Sequence, residues 1–309
     1  MLFLLMQLDY GALTKEAIHI HWGHLVLSLV LILCQIFFLN LRWHYFLNAG
    51  KHEIPFKTSS LINIAGYFAN IMFITSIGGI IAKSGLAVRH GLSLVQALFI
   101  TFLDRFMTLF ALIIFSALSL PFLKDILDFK ISTLLSLSIT AIILLVGGVL
   151  FTLRSGILKN YILSNRKRSR LLATMRLYME NYELMAKSIF YSLIAQACFI
   201  LSVYALSFGI PYENQSHGIQ AIEFLALIPV LALISSLPIS FGGWGVREGA
   251  FIYGLGLIGY SMESAFLLSI QVGLITLIAP FIVGIPYILN ADTSLFKFGT
   301  KAYSKKQKP

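Results

Sequence analysis

The sequence predicts an all-α polytopic membrane protein, built as an inverted-topology repeat with two Gly-rich broken or re-entrant helix segments. Three observations carry that expectation. Of 309 residues, 58% are hydrophobic and 12% charged, and mean hydropathy is +0.86. A soluble domain is about 45–50% apolar and about 25% charged. The apolar residues gather into runs long enough for helices that cross a bilayer, which need about 20 residues. Finally, a glycine-rich motif occurs once in each half of the chain. This composition excludes a water-soluble enzyme, a nucleic-acid-binding domain, a disordered chain and a small disulfide scaffold.

The apolar stretches fall at about 22–47, 57–82, 95–123, 130–153, 186–210, 218–241 and 262–289, with a shorter one at 246–259. Residues 1–8 are apolar but too short to span, and they lack the basic flank and small-residue cleavage site of a signal peptide. No series of short alternating segments points to a barrel. Cys34 and Cys198 each sit inside an apolar run, so they read as small buried hydrophobes, not as a disulfide framework.

Net charge is +10, and the basic residues sit between the apolar runs. Arg154, Lys159, Arg166, Lys167, Arg168, Arg170, Arg176 and Lys187 crowd residues 154–187; Lys297, Lys301, Lys305, Lys306 and Lys308 mark the tail; Arg42, Lys51 and Lys57 follow the first span. The positive-inside rule places all three groups, and hence the C-terminal tail, in the cytoplasm. Contacts with anionic lipid headgroups, not nucleic acid, are the expected role of this charge. Residues 211–218 and 124–130 lack such an excess and are expected outside.

Counting crossings between these anchors, segment 57–91 begins and ends inside and segment 218–261 begins and ends outside. Each carries the shared motif. Residues 76–85 read SIGGIIAKSG and residues 240–249 read SFGGWGVREG. Ser76, Gly78, Gly79 and Gly85 align with Ser240, Gly242, Gly243 and Gly249, and Lys83 aligns with Arg247. After a four-residue insertion, Gly91, Ser93 and Ala97 fall against Gly259, Ser261 and Ala265. The chain is therefore one membrane domain, 1–309. Repeat one covers about 22–123, a linking helix and basic cytoplasmic loop cover 130–187, repeat two covers about 186–289, and a basic tail covers 290–309. Helix ends inside a membrane leave backbone groups that only protein or a wet cavity satisfies. The N-termini of such half-helices offer a positive pole to an anion. Close helix packing is the competing role for the Gly pairs.

Two charged pairs interrupt the apolar pattern. Asp104 and Arg105 lie deep in the 95–123 run, and Arg247 and Glu248 follow the second motif. Ionisable residues in mid-bilayer cost about 2.5–3.5 kcal/mol and usually face a cavity or a partner. Adjacent residues on a helix point about 100° apart, so Asp104 and Arg105 want other partners. The expectation is that Arg105, Arg247 and Lys83 line a path for an anionic headgroup, held by Asp104 and Glu248. A purely structural network locking the helices is the alternative. No metal site or cofactor is expected: His19, His21 and His24 have poor ligand spacing, and nucleotide and hydrolase motifs are lacking.

The stretch Ser236–Gly249 (SLPISFGGWGVREG) resembles a signature of the lysylphosphatidylglycerol synthase transmembrane-region family, the flippase-like domain. Pro238, Gly242, Gly243, Gly245 and Glu248 match its Leu-Pro, Gly-Gly-x-Gly and Glu pattern. Gly78, Gly79 and Lys83 resemble the family's first Gly-rich turn, although Ile80 stands where an acid is usual. Asp104-Arg105 is similar to the family's acidic-Arg pair and Arg42-Trp43 to its Arg-Trp. The resemblance covers roughly 20–290. It implies a translocase-like domain in a bacterial inner membrane, acting on a phospholipid or lipid-linked glycan. Bifunctional members carry a soluble aminoacyl-transferase domain as well; this sequence has none, so enzymatic aminoacyl transfer is not expected.

The function expected is thus movement of an anionic phospholipid or lipid-linked glycan between leaflets. The alternative is a non-transporting scaffold or accessory subunit of an envelope-modifying enzyme. Membrane lipids and an envelope enzyme such as a glycosyltransferase are the expected partners.

Overall fold

In a computed structural model the described residues are 11, 21–50, 52–72, 76–124, 126–128, 130, 132–134, 136–141, 144, 148, 166–210, 217–236 and 245–289. They are helical or in turns, with no strand among them. The helices are α1 (Trp22–Leu47), α2 (Phe56–Met72), α3 (Ser76–Arg89), α4 (Leu94–Leu123), α5 (Arg166–Met179), α6 (Tyr182–Ser207), α7 (His217–Ser235), α8 (Val246–Gly256) and α9 (Met262–Leu289). Four, α1, α4, α6 and most of α9, are long and apolar enough to cross a membrane.

Local signals explain where these helices start and stop. Ser93 caps α4 by accepting from the Gln96 N–H at 3.2 Å, and Asn181 caps α6 by accepting from Leu184 N–H at 3.0 Å. Ser261 does the same before α9, accepting from Ser264 N–H at 3.0 Å. Such caps contribute about 1 kcal/mol each. Gly91 and Gly259, two residues before these serines, take φ of +101° and +89°, which only glycine adopts without strain. At the end of α1, the Asn48 amide donates to His44 O and Ile54 O and accepts from Ile54 N–H, tying the helix to the next turn.

The surface and the interior are inverted relative to a soluble protein. Phe102, Ile81 and Leu118 are more than 60% exposed, as suits side chains solvated by hydrocarbon. Ser28, Asn40, Arg42, Asn63 and Ser192 are buried. Between apolar helices in lipid, small residues and hydroxyls supply the contacts that the hydrophobic effect does not.

The α1–α6 pair forms the central seam. Ser28 and Ser202 share a hydrogen bond at 2.7 Å, Arg42 reaches Ser192, His24 stacks on Phe208, and Tyr45 stacks on Tyr191. The start of α1 therefore meets the end of α6, and the two run antiparallel. Around them, α2 packs on α9 and α7 packs on α4; α1 packs on α9 and α6 packs on α4. Helices α2 and α3 form one packed pair, and α7 and α8 another.

Cys34, expected in the interior, is exposed, and Cys198 is half-buried. Both fall on the α1–α6 pair, in the antiparallel register set by the Ser28–Ser202 and Arg42–Ser192 bonds. A short thiol-reactive cross-linker is expected to join them within one chain, read as a mass gain of one bridging group and no dimer. If they do not join, the antiparallel seam is wrong.

The segment expected as a basic loop contains a helix, α5. Its Tyr178 is fully buried, donates to Phe46 O and accepts from Gln96 Nε2, both at 3.0 Å. Burial pushes this phenol above its ordinary pKa, which keeps it a neutral donor. Of the expected linking helix, residues 132–134 and 136–141 are helical. Residues 149–165 and the tail 290–309 lie outside the described residues.

A buried ion cluster as the candidate functional site

Asp104 sits near the middle of α4, a helix whose sequence supplies no local counter-charge for it except the neighbouring Arg105. Its partners come from elsewhere. Arg42 of α1 donates from Nε (2.9 Å) and Nη2 (2.7 Å) to Asp104 Oδ1. The same guanidinium donates to Asp104 O (2.9 Å), Thr108 Oγ1 (2.8 Å) and, through Nη1, Ser192 Oγ (2.6 Å). Lys83 of α3 donates to Asp104 Oδ2 at 2.6 Å, and its ammonium lies 3.9 Å from the centre of the Trp43 ring. The side chains of Arg42, Lys83 and Asp104 are only 1%, 11% and 13% exposed. At such burial a charge-assisted network is required, because a lone ion would be heavily penalised.

The cluster borders a cavity of about 130 Å³ between α1, α2, α3 and α4. Asn63, Tyr67 and Asn70 of α2, Gly79 and Ile80 of α3, and Thr101, Arg105 and Thr108 of α4 complete its wall. The fourth residue of α3, Gly79, turns its N–H toward α2. Asn70 Oδ1 accepts it at 2.8 Å. A Cβ on Gly79 would press on the Asn70 amide, which would have to shift. Gly66 makes the equivalent allowance for Lys83: a Cβ there would lie 2.5 Å from Lys83 Cγ. Gly66→Ala is expected to cost about 1–3 kcal/mol through overpacking and to pull the ammonium off Asp104. A Lys83–Asp104 separation unchanged in the variant's structure would contradict this.

A second cluster lies at the start of α8. Gly245, with φ +90°, precedes the helix, and Glu248 in its first turn accepts from the Gly245 N–H. Arg247 Nη2 donates to Glu248 Oε1 at 2.8 Å, and its Nε donates to Ser269 Oγ of α9 at 3.3 Å. Glu248 is fully buried, and its negative charge suits the positive end of the helix. Gly273 of α9 leaves room for the guanidinium, since a Cβ there would lie 2.3 Å from Arg247 Nη2.

Of the expected site residues, Lys83, Asp104 and Arg105 meet at the cavity. Arg247 and Glu248 pair with each other and do not line it. The hydrogen-bonded partners of Asp104 are Arg42 and Lys83; Arg105 lies exposed on the wall. Arg42, counted in the sequence as a charge that fixes topology, is instead an interior residue, and Lys83, expected on the headgroup path, is buried against Asp104. For Arg42, the Arg-Trp resemblance was the available signal; its partner is 62 residues away, which no local pattern reveals. Gly78 and Gly79 are buried in the first turn of α3, just after the break between α2 and α3. Gly245 stands at the start of α8, while Pro238, Gly242 and Gly243 lie outside the described residues.

Long apolar helices around a buried, charge-lined cavity define an integral membrane protein of the polytopic α-helical class. Residues 1–284 match the sequence model of the family described as lysylphosphatidylglycerol synthase TM region, and the chain belongs to that family. Membership fits a membrane protein of lipid metabolism or transport. No curated protein and no solved structure matches the chain.

Proposed function

We propose that the chain carries an anionic phospholipid or lipid-linked glycan between the leaflets of a bacterial inner membrane, with its C-terminal tail in the cytoplasm. The observation that carries this reading is the cavity beside Asp104. Its wall holds three basic side chains against one carboxylate, and the first turn of α3 opens onto it. Such a site favours an oxyanion.

The arrangement of the helices supports the same reading. Among these eight helices, exchanging α1–α4 for α6–α9 leaves the set of packed pairs unchanged, and α1 and α6 run antiparallel. Gly91 and Gly259 both take positive φ, and Ser93 and Ser261 each cap the helix that follows, which supports a repeat. Two halves of opposite orientation are a common basis for alternating access in transporters. As a carrier the chain would make and break no covalent bond. An envelope enzyme such as a glycosyltransferase would supply or consume its cargo.

The test is leaflet exchange. Purified protein is placed in vesicles carrying labelled phosphatidylglycerol or a labelled polyprenyl-phosphate glycan, and label reaching the opposite leaflet is timed. Exchange by wild type, lost in folded Lys83→Met and Arg105→Leu variants, is the expected result. Wild type that moves neither lipid would sink the translocase reading.

A further inference from the structure

We propose that the cavity takes up its anion together with a proton, which is carried on Lys83. This rests on the proposed function and adds its coupling. The charge balance of the cluster is the starting point. Arg42 uses all three of its nitrogens on Asp104, Thr108 and Ser192, and a guanidinium does not lose its proton in a protein. It is therefore a fixed cation that cancels the Asp104 carboxylate. Lys83 is different. Its polar hydrogen-bond partner here is Asp104 Oδ2, and its amine can exist in either form.

The groups that face Lys83 come from three helices. They are Arg42 and the Trp43 ring from α1, Tyr67 from α2, and Asp104 and Arg105 from α4. Asp104 Oδ2 and the indole face favour the ammonium. Burial and the positive charges of Arg42 and Arg105 oppose it. With the cavity empty, a protonated Lys83 leaves the buried trio of Arg42, Lys83 and Asp104 with one surplus positive charge. An arriving monoanion removes that surplus. Anion and proton therefore stabilise each other's binding, and the linkage is reciprocal. The step is R–NH2 + H3O+ → R–NH3+ + H2O, with the proton drawn from the water on the side to which the cavity is open. The second cluster lacks this property: Arg247 and Glu248 already cancel, and neither needs a proton to balance the other.

The ligand chemistry shared by a lipid headgroup and a free ion is the phosphodiester monoanion. The test uses the full chain in phosphatidylcholine nanodiscs. Short-chain phosphatidylglycerol or dimethyl phosphate is titrated in by calorimetry, since neither probe changes charge between pH 6 and 10. Repeating each titration in buffers of different ionisation enthalpy gives the protons taken up per anion bound. Wild type is expected to take up no proton at low pH and to approach one at high pH. Its affinity should fall by up to about tenfold per pH unit on the alkaline side. Lys83→Arg, folded as judged by its melting transition, should bind with no proton uptake and a flat pH profile. Uptake with the lipid alone assigns recognition to the amphiphile; uptake with both probes assigns it to the phosphodiester. Binding by wild type without proton uptake, or equal uptake by Lys83→Arg, overturns the coupling and leaves the anion site standing. Wild type that binds neither probe overturns both.

Discussion

Asp104→Leu is expected to destabilise the folded protein by about 3–5 kcal/mol, the cost of leaving a buried cation without its partner. Arg42 is a fixed cation left without its carboxylate, and Lys83, when protonated, is a second. Arg42 is the more severe case: it is only 1% exposed and cannot lose its proton, and Thr108 and Ser192 offer only neutral oxygens. The diagnostic comparison is the triple variant Arg42→Met, Lys83→Met, Asp104→Leu. Removing all the charges together removes the desolvation penalty as well as the attraction, and such replacements are often neutral or stabilising. Unfolding of the detergent-solubilised proteins in increasing dodecyl sulfate measures both. If the triple variant is as unstable as the single one, lost packing and not stranded charge is the cause.

Glu248→Gln is expected to cost about 3 kcal/mol in the same assay, at the lower end for a broken buried pair because Arg247 keeps 13% exposure. The carboxylate does two things at once. It balances Arg247, and it accepts the Gly245 N–H where the chain turns into α8. Glutamine keeps one acceptor oxygen and loses the charge. Loss of stability should therefore be accompanied by faster amide hydrogen exchange at the first turn of α8. Unchanged exchange there would mean that the cap survives and that only the ion pair was lost.

The membrane class and the long spans were legible in the sequence, because each is a local property. A run of apolar residues carries its meaning within a few positions. Asp104 was also visible, as a carboxylate in an apolar run that had to find a partner. What the sequence could not supply was which partner. Arg42 stands close to the end of an apolar run, where a topology anchor and a buried counter-ion look alike. Lys83 was expected on the headgroup path, with Asp104 and Glu248 both available to hold it. Only the packing of α1 and α3 against α4 separates those meanings. The pairing of Arg247 with its neighbour Glu248 was in reach, because a glutamate in the first turn of a helix folds back toward its start. Gly91 and Gly259 hold left-handed turns that other residues resist.

The antiparallel α1–α6 seam has a consequence for how the chain is made. During synthesis α1 enters the bilayer before α4, carrying Arg42, and the carboxylate it needs emerges 62 residues later. Ser192, which takes the remaining guanidinium nitrogen, follows 150 residues after Arg42. Until α4 arrives, the first helix bears an insertion penalty of about 2.5–3.5 kcal/mol if its arginine sits at depth. The nascent helix can avoid this by riding toward the interface with its arginine snorkelled into the headgroups. It would then slide inward when Asp104 appears. Biogenesis of this protein thus includes a wait, in which the insertion machinery must hold a half-settled helix until its electrostatic complement has been translated.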